Sequence, residues 1–216
     1  MNTKLIQTLS DIDLAKILFL EPEINGEYIT IPICYQADKK RPLLLEVPSL
    51  YLNDTYENTD LLMLPLMGRN DETTYLVNDF FRDLDNHIVD NIQKILINLK
   101  SKKLPDSLKL NSSDVSYKSI VIEVDDPDDI YKNGIIKYRF NSSTKLYDEN
   151  KLLVDKENYC RHLVAGKYVR SIIEINSLII KDNNVITHTR LHQLKLVPDK
   201  LEKVSLTDYS FTEIDQ

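Results

Sequence analysis

KYVRSIIEINSLIIKDNNVITHTRLHQLKLV, residues 167–197, is the stretch on which the fold turns. Two runs rich in β-branched and aliphatic residues, 167–180 and 185–197, flank Lys181, Asp182, Asn183 and Asn184. Asn and Asp tolerate the left-handed dihedrals of a tight turn, so the stretch predicts a β-hairpin. Each arm exceeds ten residues, against the usual strand of about five or six. Long coiled strands of this kind build small antiparallel barrels.

Outward from the hairpin, further strands are expected at 116–124, 135–140 and 144–147, with an acidic loop at 125–129 between the first two. Nearer the N-terminus, EYITIPICY (27–35) and LLLEV (43–47) read as short strands broken by Pro32, Pro42 and Pro48, which places those prolines at edges or strand ends. The run 61–66 is interrupted by Pro65 and stops at Gly68. The period then changes. From about 73 to 100, apolar residues fall at Val77, Phe80, Phe81, Leu84, Ile88, Ile92, Ile95, Leu96 and Leu99, the three-and-four spacing of one helix face. Asn70 or Asp71 can cap this helix, and Lys100, Lys102, Lys103 and Pro105 suit its end. The expected fold class is therefore α+β: a mainly antiparallel barrel in one domain over 1–197, one long amphipathic helix, and an acidic flexible tail over 198–216.

The chain has 216 residues and a net charge of −7, but the charge is unevenly spread. Residues 130–197 hold 12 Lys/Arg against six acids, a net of +6, while 1–129 carry −10 and 198–216 carry −3. A polyanion is repelled by the whole and held locally by the basic segment. With 42% hydrophobic and 28% charged residues the composition is that of a globular protein. No run approaches the ~20 apolar residues of a membrane span. Two cysteines, Cys34 and Cys160, suit a reducing compartment, so an intracellular location is expected.

Function points to the hairpin and the strands before it. His188, Arg190 and His192 alternate on one arm, and alternate residues leave one face of a strand. Arg170 on the other arm, with Lys137, Tyr138, Arg139, Lys145 and Tyr147 upstream, supplies further cations and rings. Tyr131, Tyr159 and Tyr168 interleave with them. Cations that track phosphates, and flat side chains on which bases stack, are what single-stranded nucleic acid requires. From spacing alone an ordinary solvated sheet, with tyrosines capping its core, is the favoured reading, because charged strand faces are common. Catalysis has little to stand on. Cys160 and His162 lie two residues apart, whereas thiol–imidazole pairs are assembled in space. His87, His162, His188 and His192 offer no metal-binding spacing, and there is no glycine-rich phosphate loop. Neither cofactor nor metal is expected.

Four segments carry a resemblance: EYITIPICYQADKKRPLLLEVPSL, TTYLVNDFFRDLDNHIVDNI, KYRFNSSTKLYDENKLLV and GKYVRSIIEINSLIIKDNNVITHTRLHQLKLV, which together cover most of 27–197. In their order and pattern the chain resembles the oligonucleotide-binding-fold (OB-fold) single-stranded DNA-binding proteins of nucleocytoplasmic large DNA viruses, the giant viruses. That resemblance implies a five-stranded barrel with an inserted helix, binding exposed DNA strands without sequence preference in viral replication, recombination or repair. It implies a site of action in the host cytoplasm or nucleus. It also implies a tail, with Asp208, Tyr209, Phe211, Glu213 and Asp215, that docks on replication proteins. Two departures stand out: the chain has no tryptophan, and NSLII occupies a place where an aromatic residue is usual. RNA as the ligand and self-association are also compatible with the pattern. The competing reading is a viral structural or adaptor protein that holds other proteins through the same sheet and tail.

Overall fold

The computed structural model describes residues 6–36, 41–57, 59–100, 115–125 and 129–198. The tail residues 199–216, with Asp208, Tyr209, Phe211, Glu213 and Asp215, lie outside them, as do Lys102, Lys103, Pro105 and the centre of the acidic loop, 126–128. In chain order the strands are β1 (Gln7–Thr8), β2 (Ile17–Phe19), β3 (Glu23–Asn25), β4 (Tyr28–Tyr35), β5 (Leu43–Tyr51) and β6 (Leu61–Pro65). Helix α1 (Asp71–Lys100) follows, then β7 (Ser116–Lys118), β8 (Ile135–Arg139), β9 (Lys145–Tyr147) and β10 (Leu153–Val154). The one-turn helix α2 (Tyr159–His162) leads into β11 (Tyr168–Lys181) and β12 (Asn184–Val197).

The hairpin β11–β12 organises everything else. Lys181 pairs with Asn184 across a two-residue turn in which Asp182 and Asn183 both have positive φ (49° and 58°). This is the mirror-type turn whose twist matches that of two right-twisted strands. On its other edge β11 pairs with β5 through Tyr168–Ile175 and with β4 through Ser177–Ile180. One strand thus feeds two partners in succession, and the ten-stranded sheet curls into a half-barrel. Two bulges sharpen the curl: Asn176 is the extra residue on β11, and His192 the extra residue on β12.

The prolines fall where a missing N–H does least harm. The β11 ladder on β4 ends at Pro32. Pro48 sits at a bulge, where Arg170 of β11 faces both Pro48 and Ser49 between the Leu50–Val169 and Val47–Ser171 pairs. Strand β5 therefore does not stop before Pro48, as expected from sequence, but runs on to Tyr51. Two other expectations are corrected. Segment 119–124 is not a strand beyond an isolated bridge between Ile122 and Ile135. The sheet is also mixed, because β1–β5, β12–β7 and β12–β9 pair in parallel, and β6 and β8 form a separate two-stranded ribbon.

Helix α1 opens with Asn70, whose side-chain oxygen accepts from the Thr73 N–H at 2.8 Å. Its stripe of Val77, Phe81, Leu84, Ile88, Ile92, Leu96 and Leu99 is buried in one cluster with the inner face of the sheet. That inner face reads Val169, Ser171, Ile173 and Ile175 on β11 and Leu191, Leu194 and Leu196 on β12, all buried. Among the described residues no helix is long and apolar enough to cross a membrane.

Candidate nucleic-acid interface

The residues that β11 and β12 do not turn inward form an outer face, on which Glu174 and Ser177 are themselves buried. Cross-strand pairs along it are Arg170 with Lys195, Ile172 with Gln193, Glu174 with Arg190, and Ser177 with His188. Strand β9 adds Lys145 beside Gln193 and Tyr147 beside Lys195, while Leu146 between them is fully buried. Strand β5 adds Glu46 and, at its end, Tyr51 opposite Tyr168. Six residues expected in the site, Lys145, Tyr147, Arg170, His188, Arg190 and His192, therefore meet on one surface drawn from three strands.

Glu46, Tyr147, Lys151, Arg170, Gln193 and Lys195 line a depression of about 320 Å³ on this face. Its floor is Ile172, and its walls are three cations, one ring and one carboxylate. The Arg170 guanidinium is ion-paired with Glu46. Where β5 ends against the start of β11, Tyr51 and Tyr168 meet edge to face with ring centroids 5.4 Å apart, and the Arg69 guanidinium lies 5.4 Å from the Tyr168 centroid. Lys167 holds Glu149 at 2.6 Å, which pulls the Glu149 carboxyl below its ordinary range.

Further along, the bulge turns His192 so that its Nε2 lies 2.7 Å from Oε2 of Glu174. Glu174 is among the few buried charged residues of the described chain. His188 is pushed below the ordinary imidazole range, first by burial, then by Arg190; Glu174 opposes this and Arg139 adds to it. Strand β8 is therefore within electrostatic reach of the hairpin and is tied to β11 through the Tyr138 and Ser171 hydroxyls, although no ladder among the described strands joins the two. A second groove of about 540 Å³ runs along that gap, lined by the 117–123 segment, Lys137 of β8 and Ile186, Thr187 and Thr189 of β12. Its wall is held from α1: Asp85 accepts hydrogen bonds from Tyr117, Ser119, Ile120 and Val121.

Three tyrosines do not serve as expected. The Tyr138 ring is buried in the core and its hydroxyl lies 3.0 Å from Ser171 Oγ; burial pushes its phenol well above the ordinary range. In KYR the period of two puts Lys137 and Arg139 outside and Tyr138 inside, so it cannot stack on a base. Tyr159 is also buried, donating to the Thr144 carbonyl and accepting from the Leu146 N–H. Tyr131 is tied to the Asn53 side chain. The half-buried rings that reach this face are instead those of Tyr147, Tyr168 and Tyr51. Tyr51 lies more than a hundred residues from the hairpin, and only strand register brings it there. Lys195 and Lys151 were likewise visible as cations, but nothing in the sequence placed them in the depression. Among the described residues no three His, Cys, Asp or Glu side chains cluster as a metal site.

No family model matches the chain, and no curated protein does. Among solved structures it is similar to the single-stranded DNA-binding protein from bacteriophage Enc34 in complex with ssDNA, with 14% identity and a TM-score of 0.40 over 83% of this chain and 96% of that one. A C-terminal truncation of the same phage protein aligns with 13% identity and a TM-score of 0.38 over 86% and 96%. A third structure of that protein gives 12%, 0.37, 84% and 90%.

Proposed function

We propose that this chain is a non-enzymatic single-stranded DNA-binding protein that covers exposed strands without reading their sequence. The observation that carries the reading is the outer face itself: Lys145, Lys195, Arg170 and Arg190 run along it while Tyr147, Tyr168 and Tyr51 open onto the same surface. Phosphates follow the cations and bases lie on the rings, and neither contact distinguishes one base from another. A curled half-barrel suits a flexible single strand better than a straight duplex. Glu46 holds the Arg170 guanidinium in place and Glu174 the His192 ring, and both carboxylates are displaced or screened when a phosphate arrives. The biological setting we infer is replication, recombination or repair of a large DNA virus in the host cytoplasm or nucleus, with replication proteins docking on the acidic tail.

Photocross-linking tests this reading. An oligo-dT bearing iododeoxyuridine is irradiated with the protein, and the adducts are mapped by mass spectrometry. Adducts at Tyr147, Tyr168 or Tyr51 are expected. Adducts confined to the exposed side of α1, or none at all, would contradict the assignment and favour an adaptor that holds protein.

A further inference from the structure

We infer that the β6–β8 ribbon extends this DNA-binding face, with aliphatic side chains, Leu61 and Met63, acting as its base-contacting surface. The inference rests on the function proposed above. Strand register sets Leu61 opposite Arg139 and Met63 opposite Lys137. Leu62, Leu64, Ile136 and Tyr138 are buried beneath, so the outer side of the ribbon is a checkerboard of two cations and two aliphatics. Leu61 is 36% exposed and Met63 48%, high for large apolar residues in the body of a paired strand.

Three observations fix what covers them. Charge complementarity is the first: Lys137 and Arg139 are exposed beside the aliphatics, and neither forms an ion pair among those found in the described residues. Continuity is the second: Arg139 acts electrostatically on His188, and Lys137 lines the same groove as Ile186, which alternation puts on the His188 side of β12, so the ribbon borders the hairpin face. The third is chemical. With Tyr138 turned inward, this part of the surface has two exposed cations and a flexible thioether, whose polarizable sulfur makes favourable contacts with aromatic rings such as those of bases. Asp54, Glu57 and Thr59 line a depression together with Leu61 and Met63, and its acids mark the border of the track.

Salt dependence separates aliphatic from ionic contacts. A lost phosphate contact lowers the log–log salt slope by about 0.7 on a single strand, whereas a lost base contact leaves it unchanged. Leu61→Ser with Met63→Ser should weaken binding of a long oligo-dT about tenfold at every salt concentration with the slope of the parent. Lys137→Ala should instead reduce the slope. Met63→Tyr, which installs a ring at an exposed position, should tighten binding at constant slope. If the parent binds oligo-dT while the serine and tyrosine variants match it, or if the serine variant alters the slope, the inference is overturned. If the parent itself fails to bind, the proposed function falls first.

Discussion

Asp85→Asn tests how the groove wall is held. The Asp85 carboxylate is 6% exposed on α1. Oδ1 accepts from the Tyr117 hydroxyl at 2.6 Å and the Ile120 N–H at 2.9 Å, while Oδ2 accepts from the Ser119 hydroxyl and from the Val121 N–H at 3.3 Å. The amide keeps one oxygen and sets an NH₂ where the other oxygen stood. The Ser119 hydroxyl can rotate and accept, but the Val121 N–H meets a donor and loses its partner. A buried unmet donor costs about 1–3 kcal/mol, and the bonds that remain lose charge assistance worth about 1 kcal/mol each. The expected loss is about 3–5 kcal/mol, a large share of the 5–15 kcal/mol typical of a domain. Urea titration should show a lower midpoint with unchanged slope, and melting should fall by about 10 °C. Tyr117→Phe removes only the hydroxyl that joins Asp85 to Thr187 at 2.9 Å, and should cost about 1–2 kcal/mol. An Asp85→Asn protein within about 0.5 kcal/mol of the parent would refute this account of the wall, since changes of that size are ordinary for surface sites.

Further outcomes follow from the face and the turn. Arg190→Ala with Lys195→Ala should lower the salt slope of oligo-dT binding by about 1.4, two phosphates' worth, with the melting temperature little changed. His188 and His87 both titrate below the ordinary imidazole value, each through burial first. The unfolded chain thus binds more protons than the folded one below about pH 6.5, so stability should fall as pH drops through that window and stay level above it. A bound phosphate acts on His188 in the opposite direction, so ssDNA affinity should rise over the same window, and His188→Ala should reduce that rise in anisotropy titrations. At the hairpin tip, Asn183→Gly relieves a positive φ and should stabilise the fold by about 0.5–1 kcal/mol, whereas Asn183→Val should destabilise it by more than that; chemical denaturation reads both.

Local chemistry made much of this fold legible. The KDNN turn, the paired long arms and the apolar stripe of α1 all follow from spacing, because each is settled within a few residues of itself. The three parallel pairings are different, since β9 and β7 join β12 through contacts that no local pattern announces. Pro48 reads as a strand end until the register shows a bulge that accommodates it. Alternation puts His188 and Arg190 on one face of β12, and the same rule applied to Lys137-Tyr138-Arg139 puts the ring inside. Tyr51 and the Glu46–Arg170 pair depend on how β5 lies along β11, which is a property of the assembled sheet. Leu61 and Met63 look like core residues in sequence. Only the pairing of β6 with β8 reveals their exposure.

The most direct test of the central claim is fluorescence anisotropy of labelled oligo-dT at 50 and 300 mM salt, with duplex DNA of equal length as the control. The account predicts tight binding to the single strand that weakens steeply with salt, and much weaker binding to the duplex. No binding to the single strand at 50 mM salt, or equal binding to both, would contradict it.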